Sequence, residues 1–110
     1  MEANDSKNFF ILYKPKDIVS GDFYYALSHK STGSKKELFY MCTADCTGHG
    51  VPGGLMTMLG ISFLDEIINE KNIGNPAEAL NMLRDRIIAT LKQTGTAGES
   101  KDGMDIALCC

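Results

Sequence analysis

Short apolar runs at both ends of the chain and two longer periodic stretches in its middle predict strands flanking a pair of helices. Phe9-Phe10-Ile11-Leu12-Tyr13, stopped by Lys14-Pro15, reads as a first strand. Val19 to Leu27 is rich in aromatic residues and reads as a second, interrupted near its start by Ser20-Gly21-Asp22. The polar stretch His29 to Lys36, with Gly33, is the expected hairpin loop. Glu37 to Ala44 is too uniformly apolar for a surface strand and is expected at the centre of a sheet. A fourth strand is expected over Met104 to Cys110.

The first helix is expected from Pro52 to about Lys71, with Leu55, Leu59, Phe63 and Ile67 recurring every fourth residue beside Met58 and Ser62. Gly60 inside it costs about 1 kcal/mol relative to alanine, which predicts close packing on a neighbour. The second helix opens with Asn75 as N-cap, Pro76 in the first turn and Glu78 completing a capping box. Its stripe is Leu80, Leu83, Ile87 and Leu91, with Gly95 after its end and a polar loop over Thr94 to Asp102. Three strands, two helices and a last strand in that order make a mixed α+β fold rather than regular βαβ alternation.

At 110 residues the chain holds one domain at most, and 44% apolar with 23% charged residues excludes fibrous and disordered classes. A net charge of −3 without a basic patch beyond Lys35-Lys36 argues against nucleic acid or an anionic membrane as partner. No uninterrupted apolar run is longer than the five residues of Ile106 to Cys110, which predicts no membrane segment, and no secretory signal opens the chain. These features point to the cytoplasm. Cys42, Cys46, Cys109 and Cys110 lack a zinc-knuckle spacing and read as buried reduced thiols, a site from Cys42, Cys46 and His49 being the minor alternative. Residues 1–8 read as a polar lead-in or linker. The sequence stops on an apolar strand, which predicts a piece of a larger domain.

Chemistry concentrates in Thr43-Ala44-Asp45-Cys46-Thr47-Gly48-His49-Gly50-Val51-Pro52-Gly53-Gly54, between the expected central strand and the first helix. Asp45 at the end of a buried strand calls for a positive partner. Asp22 interrupts an apolar strand in the same way. Two aspartates on neighbouring strands suit one hard cation, Mg²⁺ or Mn²⁺, unless both are exposed strand-end residues. Gly48-x-Gly50-x-x-Gly53 also matches a dinucleotide-binding fingerprint. Against that match stand Asp45 beside the diphosphate position, Pro52 inside the turn and no acidic strand end some twenty residues on. No phosphate-binding P-loop sequence is present.

Three segments together carry a family resemblance: Pro15 to Tyr24 (PKDIVSGDFY), Ala44 to Met56 (ADCTGHGVPGGLM) and Asp102 to Leu108 (DGMDIAL). They resemble the SpoIIE/RsbU-type serine phosphatases, bacterial members of the metal-dependent PPM (PP2C-like) protein phosphatases. The likeness spans residues 9–110 and corresponds to the N-terminal portion of such a domain. It implies a PP2C-like α-β-β-α sandwich with two Mn²⁺ or Mg²⁺ ions between the sheets. Asp22 matches a metal-ligand aspartate. Asp45 matches the aspartate bridging both ions, and Cys46, where glycine is common, would lend its backbone carbonyl. The remaining ligand aspartates would fall beyond Cys110, so the isolated chain is expected to be inactive. No residue matches the phosphate-gripping arginine of eukaryotic relatives.

The implied reaction is hydrolysis of phosphoserine or phosphothreonine on a regulatory partner, such as an anti-sigma-factor antagonist. Sensor or repeat modules are implied upstream. His49, with Gly48 and Gly50, would hold water near the ions, donate a proton to the leaving oxygen, or simply order the loop. Asp105 reads as structural, His29 and the lysines Lys14, Lys16, Lys35 and Lys36 as solvated, and the methionines as packing. The alternatives are a catalytically incomplete fragment acting as an interaction module, and a nucleotide-binding module using Gly48, Gly50 and Gly53. An incomplete sandwich predicts exposed apolar surface and self-association.

Overall fold

Residues from Glu37 to Cys46 alternate strictly at their C-terminal end: Tyr40, Cys42, Ala44 and Cys46 are buried, while Met41, Thr43 and Asp45 are exposed. A period of two gives this strand one helix-covered face and one open face, and the architecture follows from it. The structure is a computed structural model that describes residues 9–30, 37–92 and 102–110. Its elements are β1 (Asp22–Lys30), β2 (Glu37–Cys46), α1 (Gly50–Asp65), a π-helical turn (Glu66–Glu70), α2 (Pro76–Leu91) and β3 (Met104–Cys109). The strands form a three-stranded sheet in the order β1-β2-β3, antiparallel throughout, with β2 at the centre as the sequence predicts.

Three expectations need correction. Phe9-Phe10-Ile11-Leu12-Tyr13 is not a strand, so among the described residues three strands stand where four were expected. This segment instead crosses the open face of the sheet. The Phe9 ring meets Phe39 at 6.3 Å and the Tyr13 ring meets Tyr24 edge-on at 5.9 Å. Ring contacts hold it there in place of ladder bonds, and Pro15 lacks the N–H a ladder would need. His29 and Lys30 are not loop residues but the end of β1, opposite Leu38 and Glu37. His29 is half-buried, and its Nε2 lies 2.6 Å from Asn72 Oδ1. The remainder of the expected hairpin loop, the whole lead-in of residues 1–8, Gly95 and most of the polar loop before Asp102 lie outside the described residues.

The third correction concerns the phase of α1. Gly53, Gly54, Met56, Gly60 and Leu64 are its buried residues, whereas Leu55 and Met58 are 59% and 69% exposed and Leu59 and Phe63 are half-buried. The buried row is thus one residue ahead of the expected one. No charged side chain occurs from Gly50 to Leu64, so hydrophobic periodicity has nothing to discriminate the faces with. The small residues mark the contact instead. A Cβ on Gly60 would lie 2.8 Å from Phe23 Cζ, the close packing its position predicts. Gly50–Glu70 also has the length and composition of a membrane span, with mean hydropathy 1.4, which a count of uninterrupted apolar residues misses. Here it packs on the sheet and α2, with Leu64, Ile67 and Ile68 fully buried.

The two helices share one face of the sheet. Asn75 Oδ1 accepts hydrogen bonds from the N–H groups of Ala77 (2.9 Å) and Glu78 (3.4 Å), the N-cap the sequence predicts. Ala79, Leu83 and Ile87 then turn α2 inward, with Leu80 and Leu91 half-buried beside them. Arg86 Nη1 and Nη2 donate to Glu66 Oε2 and Oε1 at 2.7 and 2.8 Å, a two-pronged pair that ties α2 to the π-helical turn. On the far side Phe10 and Leu12 are exposed, as an incomplete sandwich predicts.

Two stability measurements follow. Leu64→Ala should destabilise the chain by about 2–5 kcal/mol in urea unfolding, because the side chain is fully buried and leaves a cavity. A loss below about 1 kcal/mol would mean that α1 does not pack as described. The Arg86 guanidinium holds the Glu66 carboxyl below its ordinary range, through the hydrogen bonds first and charge second. That contribution is present above the ordinary carboxylate value and fades as pH falls through the lowered one. Arg86→Met should therefore be less stable than the unaltered chain at neutral pH, with the difference closing in acid. A pH-independent difference would assign the loss to packing on Phe63 instead, since the Arg86 guanidinium lies over that ring at 6.0 Å from its centroid.

Candidate metal centre

The site grows from a corner where β1 begins. Ser20 Oγ accepts from the Asp22 N–H at 2.9 Å, and the Thr57 hydroxyl donates to the Ser20 carbonyl at 2.8 Å. The Tyr13 hydroxyl donates to the Asp22 carbonyl at 2.9 Å. These bonds tie the Ser-Gly-Asp segment to both α1 and the segment crossing the sheet. Gly21 is placed by necessity: a Cβ there would sit 2.8 Å from the Gly48 carbonyl and 2.9 Å from that of Cys46. A Cβ on Gly53 would meet the same Gly48 carbonyl at 2.9 Å and the Gly21 backbone at 3.0 Å. The start of β1, the end of β2 and the start of α1 therefore touch backbone to backbone. The Cys46 N–H donates to the Gly21 carbonyl at 3.0 Å across this junction.

Strand register then assembles a row of carboxylates. Asp22 lies directly opposite Asp45 on β2, and Asp45 lies directly opposite Asp105 on β3. Directly opposed residues share a face, and all three are exposed on the side away from the helices. Like charges so placed repel one another. Among the described residues no lysine or arginine pairs with any of the three. Burial pushes the Cys46 thiol up, and the charges of Asp45 and Asp22 add to the shift. An uncompensated row of hard oxygen donors at the end of a sheet suits a divalent cation.

The glycine loop forms the rim. Gly48 (φ +84°) and Gly50 (φ +63°) turn the chain through the left-handed region on either side of His49, which stays extended and makes no N-cap bond. The His49 ring turns outward, with Nδ1 3.1 Å from Asp17 Oδ2. Thr47 fastens the loop to β3: its N–H and hydroxyl both donate to the Gly103 carbonyl, at 2.8 and 2.9 Å, and its Oγ1 accepts from the Gly103 N–H. Asp45, Cys46, Gly48 and His49 face Asp102 and Asp105 across a cleft of about 730 Å³. A second cavity of about 690 Å³ runs under the Phe9–Lys14 segment and shares Asp45 and Asp105 with it.

The structure thus brings Asp22, Asp45 and Cys46 to one end of the sheet, with Gly48, His49 and Gly50 on the rim. It does not gather a complete ligand set. Among the described residues no group of three His, Cys, Asp or Glu side chains is close enough to hold an ion. The minor zinc alternative also finds no support, since His49 turns to Asp17 and Cys42 is a buried thiol pushed up to about 11 by burial. Sequence reasoning missed Asp17 and Thr47, whose partners are remote along the chain. It also read Asp105 as merely structural, before strand pairing set it beside Asp45. The dinucleotide fingerprint fails on topology, because an all-antiparallel sheet contains no βαβ unit.

No family model matches the sequence, and no curated relative does. Among solved structures, the SiaA-PP2C domain of Pseudomonas aeruginosa matches 96% of this chain with a TM-score of 0.66 and 31% identity. The chain spans 39% of the length of that structure. The described residues thus have the fold of the N-terminal part of a PP2C-like domain.

Gly21→Ala tests the backbone junction. The added methyl has only the carbonyls of Gly48 and Cys46 to displace, so it should weaken Mn²⁺ binding and lower the unfolding free energy by about 1–3 kcal/mol. Wild-type behaviour in both isothermal titration and urea unfolding would mean the loop is not seated on Gly21.

Proposed function

We propose that this chain, a PP2C-like fragment by sequence pattern and fold, supplies the first half of the metal centre of a protein serine/threonine phosphatase. The observation that carries the reading is the unpaired register of Asp22 with Asp45, at the junction where Gly21 seats the Cys46 carbonyl. In this reading Asp22 and Asp45 hold Mn²⁺ or Mg²⁺ together with the Cys46 carbonyl. A pair of such ions supplies a nucleophilic water at neutral pH and neutralises phosphoryl oxygens. No side chain of this chain needs to act as a nucleophile.

The chain's own groups do the rest. Thr47 holds the glycine loop against Gly103 and so fixes the width of the cleft. Gly48 adds no side chain to the rim between Thr47 and His49, which lets a phosphorylated backbone segment approach there. His49 borders the cleft, and in this reading it transfers a proton to the leaving oxygen. The substrate class is phosphoserine or phosphothreonine on a regulatory protein, a reading that rests on the family resemblance of the three motifs, as does assignment to the cytoplasm. The remaining carboxylate ligands come from the part of a complete domain that this chain does not include. The second reading, a structural or interaction module, draws on the absence of a three-ligand cluster among the described residues.

The test is phosphate release from a phosphoserine protein by the chain placed as the N-terminal part of a complete PP2C-type domain. Release should require Mn²⁺ or Mg²⁺ and fall to background in Asp45→Asn. Turnover that persists in Asp45→Asn would refute the assignment. A folded domain that binds the metal yet hydrolyses nothing would favour the interaction module.

A further inference from the structure

Asp17 and His49 are 32 positions apart in sequence, yet their side chains meet beside the cleft that His49 borders. Asp17 sits in the bend between Pro15 and Ser20, and His49 stands between the two left-handed glycines. An ionised carboxylate only accepts hydrogen bonds, so at 3.1 Å the proton of the contact belongs to His49 Nδ1. Gly50 lies beside the pair, and a Cβ there would be in ordinary contact, at 3.8 Å, with the same Asp17 oxygen.

The contact is not there for stability. His49 and Asp17 side chains are 72% and 43% exposed, and ion pairs so exposed contribute little. The two segments are already joined by the Gly21–Gly53 approach and the Cys46–Gly21 hydrogen bond. What the contact does determine is the state of the imidazole. A partner on Nδ1 fixes the tautomer and the ring plane, and leaves Nε2 as the nitrogen free for other chemistry.

We infer that Asp17 is a positioning residue for His49: it holds the Nδ1–H tautomer and so leaves Nε2, as acceptor when neutral and donor when protonated, as the free ring nitrogen of a residue that borders the cleft with Asp45. The inference rests on the phosphatase reading for its catalytic meaning, but its structural content stands apart from it. Neither residue is needed to hold an ion, so their effects separate from those of Asp22 and Asp45.

Nitrogen-15 NMR of the histidine rings at about pH 9, above the ordinary imidazole range, reads the tautomer directly. The chain and its Asp17→Glu variant should show His49 with the proton on Nδ1, and Asp17→Ala should show it on Nε2. An Nε2–H tautomer in the unaltered chain overturns the inference whatever the variants do. An unchanged Nδ1–H tautomer in Asp17→Ala overturns it equally. Mn²⁺ titration of the same samples should find equal affinity with and without the Asp17 carboxylate. No binding in any of them counts against the phosphatase reading and leaves the tautomer result standing. In a complete domain Asp17→Ala should lower kcat by about 10–100-fold at unchanged KM, with partial recovery in Asp17→Glu. Unaltered kcat would show that the pair does not serve the reaction.

Discussion

The backbone contact of Gly21 with the loop that opens α1 is the constraint on which the rest of this structure depends. With no side chain at Gly21 or Gly53, the start of β1 can reach the carbonyls of Cys46 and Gly48. That approach sets the depth of the glycine loop, and the Cys46–Gly21 hydrogen bond continues the pairing of β1 with β2 past its last ladder residues. Register follows, and register alone puts Asp22, Asp45 and Asp105 side by side. The acidic row is therefore a consequence of packing at a corner where no larger residue fits.

That row explains why the chain reads as part of a site. The helix-covered face is satisfied: Phe23, Tyr40, Leu64, Ile67, Ile68 and Leu83 are buried together. The opposite face combines exposed apolar residues with three uncompensated carboxylates at one end. A second layer over the apolar part and cations at the acidic end would satisfy both. The match to 39% of a solved PP2C domain agrees with that division.

Much of this was legible in the sequence where local chemistry decides the outcome. Asn75 and Pro76 fixed the start of α2 through capping, and the crowded glycines marked the loop that turns at Gly48 and Gly50. Legibility failed where one segment had several compatible partners. Phe9 to Tyr13 has the composition of a strand, but ring contacts with Phe39 and Tyr24 hold it across the sheet face. The face of α1 was misjudged because it is apolar all round, and only Gly53 and Gly60 betray the side that approaches the sheet. Asp22 and Asp45 stood out as acids in apolar surroundings, whereas Asp17 lies in a polar stretch and gains meaning only from its distant contact with His49.

The central claim is that the carboxylate row binds a divalent cation at the Asp22–Asp45 end of the sheet. Paramagnetic broadening of amide NMR signals by substoichiometric Mn²⁺ tests it most directly. The account predicts that Asp22, Asp45 and Cys46 broaden first, followed by Asp105 and Gly48, while α2 stays sharp. Broadening that begins elsewhere, or that spreads evenly over the acidic surface, would contradict it.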